Sequence, residues 1–408
     1  MENNRLKDIF NNVIPLIEKL PDPPRESIKK EIEKLMETFM EARPPRLLVI
    51  GRRGAGKSSL INAIFNIKVS DVGSVKSTTG KSLWHYYKNK KGEVHILDTR
   101  GLGDSTIPES SNFKNSIDEI KDSINEKYPD VILFLCKAKE VDARINDDIE
   151  NMIEIKEYIY NKYNYSSPII GIVNQVDELD PVRINEPPFD DVKKQQNIEH
   201  ATNIVKNALK TMNNDVIKIF PLCTYAEYED EKMIYQRYWN IEGLTDYLTD
   251  ALPESAQLEF ARLSAVKSAQ RKVAKIIVNS ASSIAGGIGA TPIPFADLPV
   301  ITSLQIGMVM GVGYIAGREL NYNTAKEFLT ALGVNIGAAF VLRESSRALA
   351  KFVFPGVGNT VSGIVAFAGT YAIGEAAIAY FIDEKSIDVV KEIFEKSRER
   401  KKQEIEQK

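Results

Sequence analysis

The chain has 408 residues, 43% of them apolar and 27% charged, with a formal net charge of −3. That length exceeds one typical domain and supports a large core, which excludes a disordered chain or a small disulfide-stapled scaffold. The balanced charge excludes a DNA binder working through bulk basic electrostatics, and two distant cysteines (Cys136, Cys223) with three scattered histidines (His85, His95, His200) give neither a disulfide framework nor a zinc site.

Residues 4–42 read as two helices. Leu6, Ile9, Phe10, Val13 and Leu16 recur at helical spacing, "PDPP" at 21–24 breaks the run, and Ile28, Ile32, Leu35 and Phe39 resume it. The N-terminus shows no apolar core after a basic start, so no secretory signal is expected. The period then changes. "RLLVI" (46–50) is a short buried strand, "SLWHYYKN" (82–89) and "EVHILD" (93–98) are paired strands across Gly92, and "VILFLC" (131–136) and "PIIGIV" (168–173) are continuous apolar runs. Such runs are strands covered on both faces. A last strand, "VIKIFPLC" (216–223), follows a helix near 195–213. Strands alternating with helices predict an α/β domain with a mostly parallel sheet over 45–252.

After Pro253 the pattern becomes all-helical. "SAQLEFARLSAVKSAQRKVAKIIVNS" carries Phe260, Leu263, Val266, Val273 and Ile277 on one stripe, and residues 276–317 hold a single charge, Asp297. A second uncharged stretch runs from Phe352 to Gly374, and a charged amphipathic helix closes the chain. The expected organisation is N-terminal helices (1–44) packed on a C-terminal helical domain (253–408), with the α/β domain between them.

"GRRGAGKS" (51–58) fits G-x-x-x-x-G-K-[ST] between a strand and a helix. Gly51, Gly54, Ala55 and Gly56 let the backbone wrap a phosphate, with the helix N-terminus through Ser58 and Ser59 adding its positive end. Lys57 is expected to bridge the terminal phosphates and Ser58 to give a hydroxyl to Mg²⁺. Thr79 in "KSTTGK" (76–81), with Thr78 as the alternative, is expected to supply a second magnesium ligand and close over the γ-phosphate. Asp98 would hold the Mg²⁺ shell, and the Gly101 N–H would touch the γ-phosphate. In "VNQVD" (173–177), Asp177 can accept from N1–H and the 2-amino group of guanine together. Adenine lacks that donor pair, so GTP is selected. Asn174 would tie this segment to the phosphate loop.

The ordered set "GRRGAGKSS", "TT", "DTRG" and "NQVD" resembles the GTPases of the translation-factor-related class, and the Lys57–Thr79 interval is similar to that of the Era and septin-like branch. Cys223 and Thr224 fall where those families carry a Ser-Ala pair beside the guanine. The C-terminal "ATPIPFADLPVITSLQIGMVM" resembles the Ala/Gly-rich helical domain of some bacterial Era-like GTPases, and the whole arrangement is similar to the dynamin-like immunity-related GTPases. The resemblance implies GTP/GDP with Mg²⁺ as ligands and hydrolysis of GTP. It also implies a homodimer or homo-oligomer formed through the GTPase domain.

The sequence departs from that pattern at three places. Gln175 replaces the lysine whose stem stacks on the base, which implies modest nucleotide affinity. Cys223-Thr224 replaces Ser-Ala, and Leu102 stands where many relatives place a water-orienting glutamine. Arg52 and Arg53 are candidate arginine fingers, in cis or across a dimer. The alternative is a pair of solvated arginines, or arginines paired with acids such as Asp104.

Residues 298–317 have the length of a transmembrane helix. Thr302, Ser303 and Gln305, with Asn359, Thr360 and Ser362 in the second stretch, favour a bundle of buried helices instead, and Pro292, Pro294 and Pro299 favour a loop. The expectation is a cytoplasmic protein, peripheral to a membrane through a hydrophobic loop near 290–299 within residues 276–317, with integral insertion as the alternative. The functional expectation is a GTP-hydrolysing switch whose nucleotide state controls the helical domain in self-assembly or at a membrane surface. The alternatives are an Era-like ribosome-assembly GTPase and a non-hydrolysing scaffold.

Overall fold

The computed structural model describes residues 18, 22, 24–66, 84–89, 91–98, 116–141, 145–210, 218–229, 232–290, 297–318, 322–333 and 359–407. Packing divides the chain into two units, residues 44–269 and a unit made of residues 1–43 with 270–408.

The 44–269 unit is built on six strands: β1 (Arg46–Gly51), β2 (Trp84–Asn89), β3 (Gly92–Asp98), β4 (Val131–Lys137), β5 (Ile169–Asn174) and β6 (Lys218–Pro221). Their order is β2-β3-β1-β4-β5-β6, parallel throughout except for β2, which pairs antiparallel with β3. The apolar strands work because successive side chains face opposite layers. Leu47 and Val49 of β1, Val131 and Leu133 of β4, and Ile170 and Ile172 of β5 enter one core. Leu48 and Ile50, Ile132 and Phe134, and Ile169 and Val173 enter the other. Each buried aliphatic side chain contributes roughly 1.5–3 kcal/mol of transfer free energy. Helices α2 (Lys57–Phe65), α6 (Ile241–Ala251) and α7 (Glu254–Leu263) cover the first face; α3 (Ser116–Glu126), α4 (Ile145–Tyr163) and α5 (Val192–Lys210) cover the second.

Two features differ from the sequence reading. The expected last strand over 216–223 is β6 alone within the described residues, and the chain then forms a separate antiparallel hairpin, β7 (Cys223–Glu229) with β8 (Lys232–Trp239). The amphipathic run after Pro253 is also two helices. At the break the Ser264 hydroxyl accepts from the Val266 N–H at 3.1 Å, and the Ala265 N–H donates to the Ile64 carbonyl at 2.9 Å. Phe260 meets Phe65 edge-on at 5.7 Å, so α7 packs with the sheet unit, which extends through Ala269.

The second unit contains α1 (Pro24–Met40), α8 (Lys267–Gly289, mostly in this unit), α9 (Asp297–Ile315), α10 (Tyr322–Ala331), α11 (Asn359–Ala377) and α12 (Ile387–Glu406). The α1 stripe of Ile28, Ile32, Leu35 and Phe39 is buried. Ile28 lies against Gly287 of α8 and Phe39 against Gly311 of α9, where missing side chains admit the rings and methyls. The earlier N-terminal helix expected from residue 4 lies outside the described residues.

Polar groups in the apolar helices find protein partners. The Gln305 amide donates to the Thr370 hydroxyl at 3.0 Å, and Thr370 is fully buried. Among the described residues one segment, Gly363–Ile382, is long and apolar enough to cross a membrane, with mean hydropathy 1.5; 56% of its most apolar window is buried within the protein. The apolar part of α9, Val300–Ile315, is shorter than a spanning helix. Of the expected membrane-touching loop near 290–299, residues 291–296 lie outside the described set and residues 297–299 begin α9.

Candidate nucleotide site

Strand β1 ends at Gly51 in the middle of the parallel sheet, and the chain turns through 52–56 into α2. Gly54 and Gly56 take left-handed backbone angles, φ 82° and 90°. A side chain on residue 56 would also place its Cβ 2.2 Å from the Asn174 amide nitrogen, so only glycine fits. The loop is thus a bare-backbone cradle at a helix N-terminus, where an anion finds N–H groups and the positive helix end. Lys57 reaches back along the loop, its Nζ 2.8 Å from the Gly51 carbonyl and 3.4 Å from that of Arg52. Ser58 is exposed on the first turn of α2, with Ser59 and Gly56 partly covered and Ala55 buried.

The base-reading segment is fastened to this cradle. Asn174, fully buried at the end of β5, donates to the Ala55 carbonyl at 2.9 Å and accepts from the Thr224 hydroxyl at 3.1 Å. One amide therefore ties together the phosphate loop, β5 and the segment after β6. Gln175 sits at φ 63° and donates to the Gly54 carbonyl at 2.8 Å. Its Oε1 is buried without a hydrogen-bond partner among the described residues.

Asp177 lies in a short 3-10 turn, Val176–Glu178, and is 6% exposed. Three groups hold it, of which Lys194 and Arg237 are absent from the sequence reading. Lys194 of α5 is fully buried and donates to the Asp177 and Leu179 carbonyls at 2.7 and 2.5 Å. Burial pushes its ammonium below the usual lysine value, and the Asp177 charge opposes that shift. Arg237 of β8 places its Nη1 3.6 Å from Asp177 Oδ2. Burial pushes the Cys223 thiol up to about 12, and the adjacent Asp177 carboxylate pushes the same way. Cys223 therefore stays a neutral S–H donor beside Asp177 across the physiological range.

Arg52 is not free to swing. Its Nε donates to Asp148 Oδ2 of α4 at 2.7 Å. Burial raises the Asp148 carboxyl, and the Arg52 hydrogen bond works against that rise. Asp148 is thus one acid that engages Arg52; Asp104 lies outside the described residues. Arg53 is exposed and has no ion pair or hydrogen bond among the described residues. Thr78, Thr79, Gly101 and Leu102 lie outside the described residues. Asp98 is the last residue of β3, in register with Val49 of β1, which puts it at the strand ends beside the phosphate loop.

A nucleotide polyphosphate fits this bare-backbone cradle, to which Asn174 and Gln175 are hydrogen-bonded. Magnesium also fits the cradle, because the Ser58 hydroxyl on the first turn of α2 is a hard oxygen donor of the kind that shares Mg²⁺ with phosphate and water. Among the described residues no group of three or more His, Cys, Asp or Glu side chains could hold a metal alone.

Residues 46–175 match the family model for 50S ribosome-binding GTPases, and residues 256–405 match a domain of unknown function, DUF697. The tRNA modification GTPase MnmE of Francisella tularensis subsp. novicida is 30% identical over 122 residues, covering 28% of this chain and 27% of MnmE. GTPase Era of Clostridioides difficile is 24% identical over 234 residues, 53% of this chain and 71% of Era. The chain spans about a quarter of the length of the MnmE relatives it matches. Among solved structures, Toc33 from Arabidopsis thaliana in complex with Mg²⁺ and GMPPNP aligns with TM-score 0.36 and 16% identity over 58% of this chain and 95% of that one.

Fold and site together define a P-loop GTPase domain with a mostly parallel sheet, followed by a helical C-terminal region. Within that class the domain is similar to those of Era and MnmE.

Proposed function

We propose that this chain binds GTP with Mg²⁺ and hydrolyses it, and that its nucleotide state governs the hydrophobic helical unit in self-assembly or at a membrane surface. The observation that carries the nucleotide reading is the Asn174 link. A single buried amide sets the phosphate cradle and the base-selecting Asp177 in one rigid frame. Lys57 would leave the loop carbonyls for the terminal phosphates, Ser58 and Asp98 would hold the metal, and Thr79 and Gly101 are the residues expected to contact the γ-phosphate. Loss of that phosphate frees the closing segments, which is the switch. The metal's contribution is to neutralise charge on the β- and γ-phosphate oxygens. With Leu102 unable to orient water, charge stabilisation falls to Arg53, in cis or across a homodimer, since Arg52 is committed to Asp148.

Multiple-turnover phosphate release tests this. GTP but not ATP is expected to be hydrolysed, and Lys57→Ala to remove the activity. Guanine-nucleotide binding without turnover would replace this reading by a non-hydrolysing scaffold. A second reading, assembly of the large ribosomal subunit, is supported by the match of residues 46–175 to ribosome-binding GTPases and by the length of Era that the chain covers. Co-sedimentation with 50S subunits in the GTP-analogue state, and not with GDP, would favour it.

A further inference from the structure

We propose that Arg237, on the hairpin that follows Cys223-Thr224, is a positioning residue for base recognition: it holds the Asp177 carboxylate in the one orientation that receives two donors from guanine. This rests on the guanine-site reading above and goes beyond it by assigning the hairpin a role in specificity.

The geometry is built across the two strands of the hairpin. Tyr225 directly follows Thr224, whose hydroxyl holds Asn174, and Arg237 is the cross-strand partner of Tyr225. The guanidinium lies over the Tyr225 ring at 4.5 Å and within 5.5 Å of the Tyr235 ring. Its Nε donates to the Tyr235 hydroxyl at 3.1 Å and lies 3.3 Å from Glu186 Oε1, and its Nη1 donates weakly to the Asn185 carbonyl at 3.4 Å. A planar cation fixed on aromatic faces and by several acceptors has little freedom to move. From that fixed place Nη1 faces Asp177 Oδ2, while Asp177 is 8% exposed on its side chain and Arg237 17%.

A carboxylate turns readily about its terminal torsion. To accept N1–H and the 2-amino group together it must present both oxygens toward the base edge. The Arg237 cation 3.6 Å from Oδ2 restrains that rotation before the nucleotide arrives, so less ordering remains to be done on binding.

Two roles are separable, bracing the hairpin against the 185–186 segment and orienting Asp177. The test uses the full chain with Mg²⁺ and titrates GTP and ITP, which lacks the 2-amino group, by calorimetry. Wild-type protein is expected to prefer GTP over ITP, and Asp177→Ala to erase the preference. Absence of any preference in the wild type would sink the guanine reading itself, independently of Arg237. Arg237→Ala is expected to weaken GTP on the order of tenfold, the scale of one impaired charge-assisted hydrogen bond, and to compress the GTP-to-ITP ratio. Glu186→Gln, which loosens the brace but leaves the Asp177 pair, is expected to keep the wild-type ratio. Arg237→Lys keeps the charge without the plane and is expected to fall between, which carries the test if Arg237→Ala does not fold. A wild-type ratio in both Arg237 variants, or an equal shift in Glu186→Gln, overturns the proposal.

Discussion

Arg52 and Arg53 are neighbours in the phosphate loop with different surroundings. The first is bound to Asp148 at 2.7 Å, and the second is exposed. A finger must be able to move onto developing charge, and when it does it accelerates phosphoryl transfer by about 10³–10⁵. Single-turnover hydrolysis is therefore expected to fall by about 10³ in Arg53→Ala and to stay near the wild-type rate in Arg52→Ala. An unchanged rate in Arg53→Ala would remove the finger. A different residue governs stability against pH. Lys127 donates to the Tyr86 hydroxyl and to His95 Nδ1, both at 3.0 Å, and lies over the Trp84 ring at 4.8 Å. Burial first, and then the Arg46 charge, lower its ammonium to about 8. Between about 8 and the ordinary lysine value the unfolded chain binds the extra proton, so folding becomes more favourable as pH rises through that window. Below it the cost of the charged form is present in full. Denaturant unfolding at pH 8 and pH 10 is expected to show that gain in wild-type protein relative to Lys127→Met. Equal gains in the two proteins would contradict it.

At the scale of elements, the strands that build the site are those with uninterrupted apolar runs. "RLLVI", "VILFLC" and "PIIGIV" could be read directly as β1, β4 and β5, because strands covered on both faces need no alternation. The phosphate loop, Asn174 and Asp177 were legible for a related reason: each directly follows one of those strands. Hairpin β7–β8 was not legible. Its residues alternate between exposed and partly buried, with tyrosines, charges and Ile234 on both faces, so no apolar stripe marks it. Arg237 and Lys194 share that obscurity, because their pairing with the Asp177 turn exists only once hairpin and α5 fold beside it. The split between α7 and α8 escaped because Leu263 and Val266 continue the helical stripe, while the break is marked by the Ala265 bond to Ile64 and the local Val266–Ser264 bond. In the helical unit, small residues set how closely helices approach. A methyl on Gly374 of α11 would lie 2.4 Å from Val278 Cγ1 of α8, whereas one on Gly369 of the same helix meets nothing within 4 Å. Gly374→Ala is expected to destabilise by about 1–3 kcal/mol, and Gly369→Ala to be neutral or to stabilise by up to about 1 kcal/mol. Chemical denaturation of the two variants checks this; equal midpoints would contradict the close approach of α8 and α11.

At the scale of the whole molecule, the chain joins a nucleotide-site unit to a helical unit that includes the described N-terminal helix. The apolar helices pack their polar groups against one another, as Gln305 and Thr370 do, which suits a protein interior better than lipid. The membrane role proposed above is nucleotide-dependent association rather than permanent insertion. Flotation with lipid vesicles is expected with a non-hydrolysable GTP analogue and not with GDP, while extraction only by detergent would contradict this. Coupling of any kind requires that guanine nucleotide occupy the cradle around Gly56, so calorimetry of the folded full chain with GTP and Mg²⁺ is the most direct measurement. Saturable uptake is predicted for the wild-type protein, with Lys57→Ala severely weakened and ATP unable to compete. No heat of binding at millimolar GTP would contradict the account at its foundation.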